Sequence, residues 1–154
     1  MAEVKTKSVV TMRASAACPS HARTDIKVRD VHVTIDESVE RGGTNAGPTP
    51  TEAALSALIA CTNVIGHKCA DKLGVSLGHL EISAACEFDR RGVTLVEAVE
   101  NDFLRIDLTI VADGELSDVE LQSVAAETSK FCPLSKLFKA AGTTITETWR
   151  KAGT

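Results

Sequence analysis

Tyrosine is absent from this chain of 154 residues, and aromatic residues make up only 3% of it. A surface on which nucleic-acid bases stack needs such rings, so this kind of site is not expected. Basic residues are also too few and too scattered to form a patch, and the net charge is −4. We therefore expect neither nucleic acid nor an anionic membrane surface among the partners.

The sequence also lacks a secretory signal, because its N-terminus has no apolar core. The most apolar stretch, residues 53–65, is interrupted by polar residues and is too short to cross a bilayer. These features predict a soluble, cytoplasmic protein.

Motifs for metals and phosphate-bearing cofactors are missing as well. The four histidines form no HxxxH pair, and the cysteines form no CxxC pair, whereas structural zinc needs four convergent ligands. The glycine-rich residues 42–47 fit neither common phosphate-loop spacing, and no Gly-x-Ser-x-Gly elbow occurs. We expect no metal and no cofactor.

Five cysteines are present, at positions 18, 61, 69, 86 and 132. An odd number without a secretory signal argues against a disulfide framework, so reduced thiols are expected. Cys132 directly precedes Pro133, which is typical of the first position of a helix. The N–H groups and partial positive charge at that helix end favour a thiolate. A small buried side chain at a helix junction is the alternative interpretation.

Cys61 lies in the middle of a predicted helix among alanines and leucines. Such an apolar setting disfavours a thiolate, so activity at this residue requires a cation from elsewhere in the chain. The candidates are the arginines of the preceding strands and loops: Arg13, Arg23, Arg29 and Arg41.

Local signals predict the order of strands and helices. A strand is predicted over residues 4–12, and the alternation of the next residues changes phase at Arg29 and Asp30, which predicts a turn or a bulge there. A long helix is predicted from Thr49 and Pro50 to Leu73, where Gly74 ends it. Its apolar residues cover nearly the whole circumference, which indicates that a partner subunit helps to bury it.

The second half of the chain is predicted to contain strands from residue 80 and over 104–110, and a last strand over 143–149. A capping-box pattern at Ser117 opens a helix to about Ser129, and Pro133 opens a shorter one. Strands before and after two major helices predict an α+β fold, in a single domain over residues 1–154.

Two separated segments resemble the OsmC/Ohr family of osmotically inducible and organic hydroperoxide resistance proteins. Residues 42–62, GGTNAGPTPTEAALSALIACT, resemble the central helix of the family, and residues 132–136, CPLSK, resemble its second cysteine motif. Asp36 and Glu37 are similar to the Asp-Glu-Pro at the end of a family strand, with Ser38 in place of the proline. The resemblance implies antiparallel sheets packed on two central helices, in an intertwined homodimer.

The resemblance also implies a thiol peroxidase. Cys61 would be the peroxidatic cysteine that attacks an organic hydroperoxide, and Cys132 the resolving cysteine that forms an intramolecular disulfide with it. A dithiol, for example one of lipoyl type, would reduce this disulfide. The alternative is a non-catalytic dimeric stress or ligand-binding protein whose thiol pair is vestigial or senses oxidation.

One departure from the family pattern concerns the activating cation. Hydroperoxide resistance proteins carry a glutamate directly after the loop proline, where it orients an arginine, but this chain has Thr51 there. Glu52 follows one residue later, rotated by about 100° around the helix. The resemblance makes Arg23 the first candidate for the arginine and Arg29 the second, and a solvated strand charge is the alternative for each.

Overall fold

The computed structural model describes residues 7–154. Contacts divide the chain into an N-terminal unit that ends at Ala53 and a C-terminal unit, Ala54–Thr154. A single domain over residues 1–154 stays a prediction. The α+β class is confirmed, because each unit contains a three-stranded sheet and helices follow in the chain.

The elements follow one another as three strands, a long helix, two strands, two helices and a last strand. The strands are β1 (Ser15–Ala17), β2 (Thr24–Val28), β3 (Val31–Ile35), β4 (Leu80–Phe88), β5 (Phe103–Ala112) and β6 (Thr144–Lys151). The helices are α1 (Pro50–Leu73), α2 (Asp118–Phe131) and α3 (Pro133–Ala140). The predicted bounds of α1 and the predicted starts of α2 and α3 are therefore confirmed.

The N-terminal unit is built on an antiparallel sheet in the order β1-β2-β3. The turn between β2 and β3 consists of Arg29 and Asp30, as predicted, and Arg29 has a left-handed φ of 57°. The strand predicted over residues 4–12 is wrong for residues 7–12, which pair with no other strand; residues 4–6 lie outside the described chain. Val10 and Met12 in that segment are 73% and 90% exposed, so their alternation reflects no buried face.

The sheet of the C-terminal unit has the order β4-β5-β6 and is mixed. β4 and β5 pair antiparallel, whereas β5 and β6 pair parallel. The antiparallel pairing that the resemblance implied is present in every strand pair but this last one. The reason is the connection: α2 and α3 carry the chain back to the end of the sheet where β5 begins, as a parallel crossover requires.

One side of α1 enters the core of the C-terminal unit. Its most buried residues, Leu58, Thr62, Gly66 and Cys69, recur at every third or fourth position, the spacing of a single helix face. Gly66 leaves room for the buried ring of Trp149, whose Cη2 would lie 3.2 Å from an added Cβ. On the remaining circumference Val64 is 50% exposed, so burial of this side by a partner subunit stays a prediction.

Within residues 7–154, α1 is the one helix whose length and composition would allow it to cross a membrane. Core helices of soluble proteins meet the same criterion. The fully buried side chain of Leu58 shows that α1 contributes to a protein core here.

Candidate active site

Cys132 lies at the junction of α2 and α3 and is 1% exposed. It has extended backbone angles, ends α2 and caps the N-terminus of α3, as its position before Pro133 predicted. Its N–H donates to the carbonyl of Thr128 at 2.9 Å. Its Sγ accepts the N–H of Ser135 at 3.4 Å. The thiol therefore faces the free amide groups that open α3.

Burial nevertheless dominates the acidity of this thiol. The pKa of Cys132 is raised to about 11, chiefly by removal from water and in part by the interaction with Cys61, whereas the N–H groups of Ser135 and Leu134 oppose the rise. The donors that sequence reasoning expected are present, but their effect on the pKa is smaller than that of burial. The helix end alone does not make Cys132 a thiolate at neutral pH.

Cys61 lies on α1 next to the buried Leu58 and Thr62, and its side chain packs against the hydrophobic core. Its thiol is near enough to that of Cys132 to raise the pKa of Cys132 through hydrogen bonding and charge. Both cysteines are free thiols. The fold therefore brings together two cysteines that are 71 positions apart in the sequence (132 − 61). This proximity is what condensation to a disulfide requires; the catalytic roles of the two residues stay a prediction.

Arg23 belongs to the N-terminal unit and directly precedes β2. Its Nε donates to the Asp25 carboxylate at 3.0 and 3.3 Å. Asp25 also accepts the hydroxyl of Thr34, its partner on β3, at 2.9 Å. These two hydrogen bonds, with that of Arg23 the stronger influence, lower the pKa of Asp25. Asp25 thus fixes the position of the Arg23 guanidinium. The role of Arg23 in activating a cysteine stays a prediction.

Glu52 forms hydrogen bonds with Thr49 at the start of α1. Its carboxylate accepts the N–H of Thr49 at 2.9 Å, while the Thr49 hydroxyl accepts the N–H of Glu52 at 3.4 Å. This reciprocal pair is a capping box, and it lowers the pKa of Glu52. The sequence indicated a capping threonine and an early acid at this helix end, and both are confirmed. Glu52 therefore has a structural role at the start of α1.

The loop that leads into α1 is organised by Asp36, which is fully buried. Its carboxylate accepts the N–H and hydroxyl of Thr44 at 3.0 and 2.6 Å and the N–H of Ala46 at 3.1 Å. These bonds, led by the Thr44 hydroxyl, lower the pKa of Asp36 to about 2. Gly47 follows where any Cβ would collide with the carbonyl of Thr34. Buried charge and glycine together fix the path of the segment that starts α1.

Among the described residues, no three His, Cys, Asp or Glu side chains are arranged to hold a metal ion. Cys61 and Cys132 lie at the apolar core of the C-terminal unit, and the chemistry available to thiols is exchange and oxidation at sulfur.

The sequence matches the model of a known protein family. The model of the OsmC-like protein family matches residues 41–148, which contain both cysteines and the loop before α1. The chain belongs to the OsmC-like family.

Solved structures with the same fold include several members of this family. An OsmC-like protein from Mycoplasma pneumoniae is 16% identical, with a TM-score of 0.77 over 92% of this chain and 97% of the other. The organic hydroperoxide resistance protein OsmC from Legionella pneumophila is 17% identical, with a TM-score of 0.68 over 93% and 98%. OhrB, the organic hydroperoxide resistance protein of Bacillus subtilis, is 16% identical, with a TM-score of 0.61 over 92% and 98%. At these identities the likeness establishes the fold, and no curated protein matches the sequence.

Two residues of this OsmC-like protein were missed by sequence reasoning. Asp25 lies two positions after Arg23, and this spacing places both side chains on one face of a strand. The spacing could therefore have predicted the pair. Ser135 lies at the third position of α3, where a side chain can reach back to the N-cap. Both signals are short and common, and only the fold distinguishes them from ordinary surface pairs.

Proposed function

We propose that this OsmC-like protein is a thiol peroxidase that reduces organic hydroperoxides through Cys61 and Cys132. The observation that carries the proposal is the proximity of the two thiols where α3 begins. Family membership supports it, since related folds include proteins named for organic hydroperoxide resistance.

In the first step the Cys61 thiolate attacks the terminal oxygen of the hydroperoxide. The O–O bond breaks, the alkoxide leaves and takes a proton to become the alcohol, and Cys61 becomes a sulfenic acid. Sulfur loses two electrons, and the peroxide gains them. The apolar surroundings of Cys61 favour an organic hydroperoxide over hydrogen peroxide as the substrate.

In the second step the Cys132 thiolate attacks the sulfur of the oxidised Cys61. The S–O bond breaks, an S–S bond forms, and the departing hydroxide takes a proton to become water. A dithiol, of lipoyl type or similar, then reduces the intramolecular disulfide by exchange and becomes a disulfide itself.

The first step needs a cation to favour the thiolate of Cys61, and we assign this role to Arg23. The ion pair with Asp25 supports the assignment. This chain has Thr51 in place of the glutamate that orients the arginine in the family, and Asp25 is an acid that can hold the guanidinium instead. An arginine that is already oriented loses little freedom when it assists a reaction.

Replacement of the cysteines tests the mechanism. With cumene hydroperoxide and a dithiol reductant, Cys61→Ser should abolish turnover, and Cys132→Ser should leave a sulfenic acid that over-oxidises to the sulfinic acid. Cys69→Ser is the matched control, since Cys69 is a buried cysteine of the same helix. Full peroxidase activity in Cys61→Ser would refute the mechanism.

Replacement of the arginines tests the cation. Arg23→Gln should slow oxidation of Cys61, measured as the loss of hydroperoxide in a single turnover. Arg29→Gln, in the turn between β2 and β3, is the control. Equal slowing in both variants, or slowing in Arg29→Gln alone, would remove Arg23 from the proposal.

A second candidate function is a non-catalytic stress or ligand-binding protein whose thiol pair is vestigial or senses oxidation. The raised pKa of Cys132, about 11, favours it, because a thiol of low acidity resolves slowly. Continued turnover with a regenerating dithiol would identify the enzyme. A single oxidation without turnover would identify the sensor, and no reaction with peroxide the binding protein.

The proposal includes a cytoplasmic homodimer. The cytoplasm keeps thiols reduced, as a reversible cysteine pair requires, and the half-exposed Val64 on α1 offers an apolar side for a second copy. Light scattering after size exclusion should give twice the mass of one chain, and a monomer at working concentrations would contradict this part of the proposal.

A further inference from the structure

The hydroxyl of Ser135 is buried and has no hydrogen-bond partner among residues 7–154. Ser135 is 1% exposed, and its Oγ forms no hydrogen bond with any of these residues. Buried hydroxyls are nearly always paired, since an unpaired one loses its bonds to water without replacement. The orphaned Oγ lies one helical turn from Cys132, whose Sγ accepts the Ser135 N–H.

The position of Ser135 in α3 explains why its hydroxyl has no partner. Cys132 is the N-cap of α3 and Ser135 is the third helical residue, the position from which a capping-box side chain reaches back to the N-cap. In a complete capping box this side chain accepts the N–H of the N-cap residue. Here that N–H already donates to Thr128, so the usual partner of the third residue is taken. The nearest remaining polar atom on the N-cap residue is its sulfur.

The sulfur of Cys132 changes its hydrogen-bonding needs during the proposed reaction. As a thiol it is a weak acceptor, whereas as a thiolate it is a buried charge that needs donors. The N–H groups of Ser135 and Leu134 supply two of them. The Ser135 hydroxyl is unpaired at rest, and a change of its χ1 rotamer can bring it to the sulfur as a third donor.

We propose that the Ser135 hydroxyl donates a hydrogen bond to the Cys132 thiolate while this sulfur attacks oxidised Cys61. The inference rests on the proposed function and deepens it: Ser135 is a positioning residue for the resolving step and has no part in the oxidation of Cys61. Hydrogen bonds to charged groups are strong, so loss of the Ser135 hydroxyl should lower the ionisation constant of Cys132 about ten- to a hundredfold.

Two measurements on Ser135→Ala test the proposal. The first is the pH profile of disulfide closure in a single turnover with cumene hydroperoxide, followed by quenching and mass spectrometry. The second is titration of Cys132 by its ¹³Cβ chemical shift in a Cys61→Ser background, which needs no peroxide. Ser135→Thr restores a hydroxyl, and Ser123→Ala removes one that is bonded within α2. Ser135→Gly replaces Ser135→Ala should the alanine variant fail to fold.

Ser135→Ala should move the closure profile and the titration upward by about one to two pH units, with unchanged oxidation of Cys61. Ser135→Thr should reverse the shift, and Ser123→Ala should match the wild type. An unchanged Cys132 titration in Ser135→Ala would overturn the inference, whatever the activity. If the wild type consumes no hydroperoxide, the proposed function fails, and the titration still decides the role of Ser135.

Discussion

Removal of the Cys61 side chain should make Cys132 more acidic. The pKa of Cys132 rises from an ordinary 9.0 to about 11, and Cys61 contributes to this rise by a hydrogen bond and by its charge. Cys61→Ala removes both contributions and leaves burial and the opposing N–H groups of Ser135 and Leu134. The pKa should therefore fall below 11, towards 9. Each unit of this fall increases the thiolate fraction at neutral pH about tenfold.

Part of this change occurs during the proposed reaction, because a sulfenic acid at Cys61 carries no thiolate charge. Oxidation of Cys61 thus prepares Cys132 for attack. The assay is a ¹³Cβ titration of cysteine-labelled protein, wild type against Cys61→Ala, with Cys86→Ala as the control for removal of another partly buried thiol. A pKa of Cys132 that is unchanged or higher in Cys61→Ala would refute the reasoning.

Three further predictions concern stability. Leu58→Ala removes a fully buried side chain of α1 and should lower the free energy of unfolding by about 2–5 kcal/mol in urea denaturation; a loss below this range would show that the core closes over the gap. Ser117→Ala breaks the capping box of α2 and should cost about 1 kcal/mol, and restoration by Ser117→Asp would identify the cap as the cause. His67 places both ring nitrogens 3.0 Å from carbonyl oxygens, of Gly78 and Asn63, which raises its pKa above the ordinary 6.5. The contribution of His67 to the free energy of unfolding should therefore be fully present below pH 6.5 and lost as pH rises through the raised pKa. The free energies of unfolding of His67→Gln and the wild type should differ more in mild acid than in mild base.

Local chemistry explains what could be predicted from the sequence. Pro50 and Gly74 bound α1, and Ser117 and Pro133 start α2 and α3, because caps and prolines act within a few residues. The predicted strand over residues 4–12 failed in its described part because alternation identifies a strand only where a neighbour pairs with it. The exposed Met12 has no such neighbour in the described chain.

Features that depend on distant partners could not be read from the pattern. The parallel pairing of β6 with β5 follows from the path of two intervening helices, and no residue in β6 encodes its direction. Asp25 meets Arg23 and Thr34 only in the register that the sheet adopts. Spacing within a helix cannot predict that Cys61 lies near Cys132. In the sequence, only the family resemblance implied this pairing.

The central claim is that Cys61 and Cys132 form one redox pair that reacts with organic hydroperoxide. The most direct test is the intact mass and peptide map of the reduced protein after one equivalent of cumene hydroperoxide. We expect the loss of two hydrogens and a single intramolecular disulfide between Cys61 and Cys132, with Cys18, Cys69 and Cys86 still alkylated as free thiols. A disulfide between any other pair, or two free thiols at Cys61 and Cys132, would contradict the account.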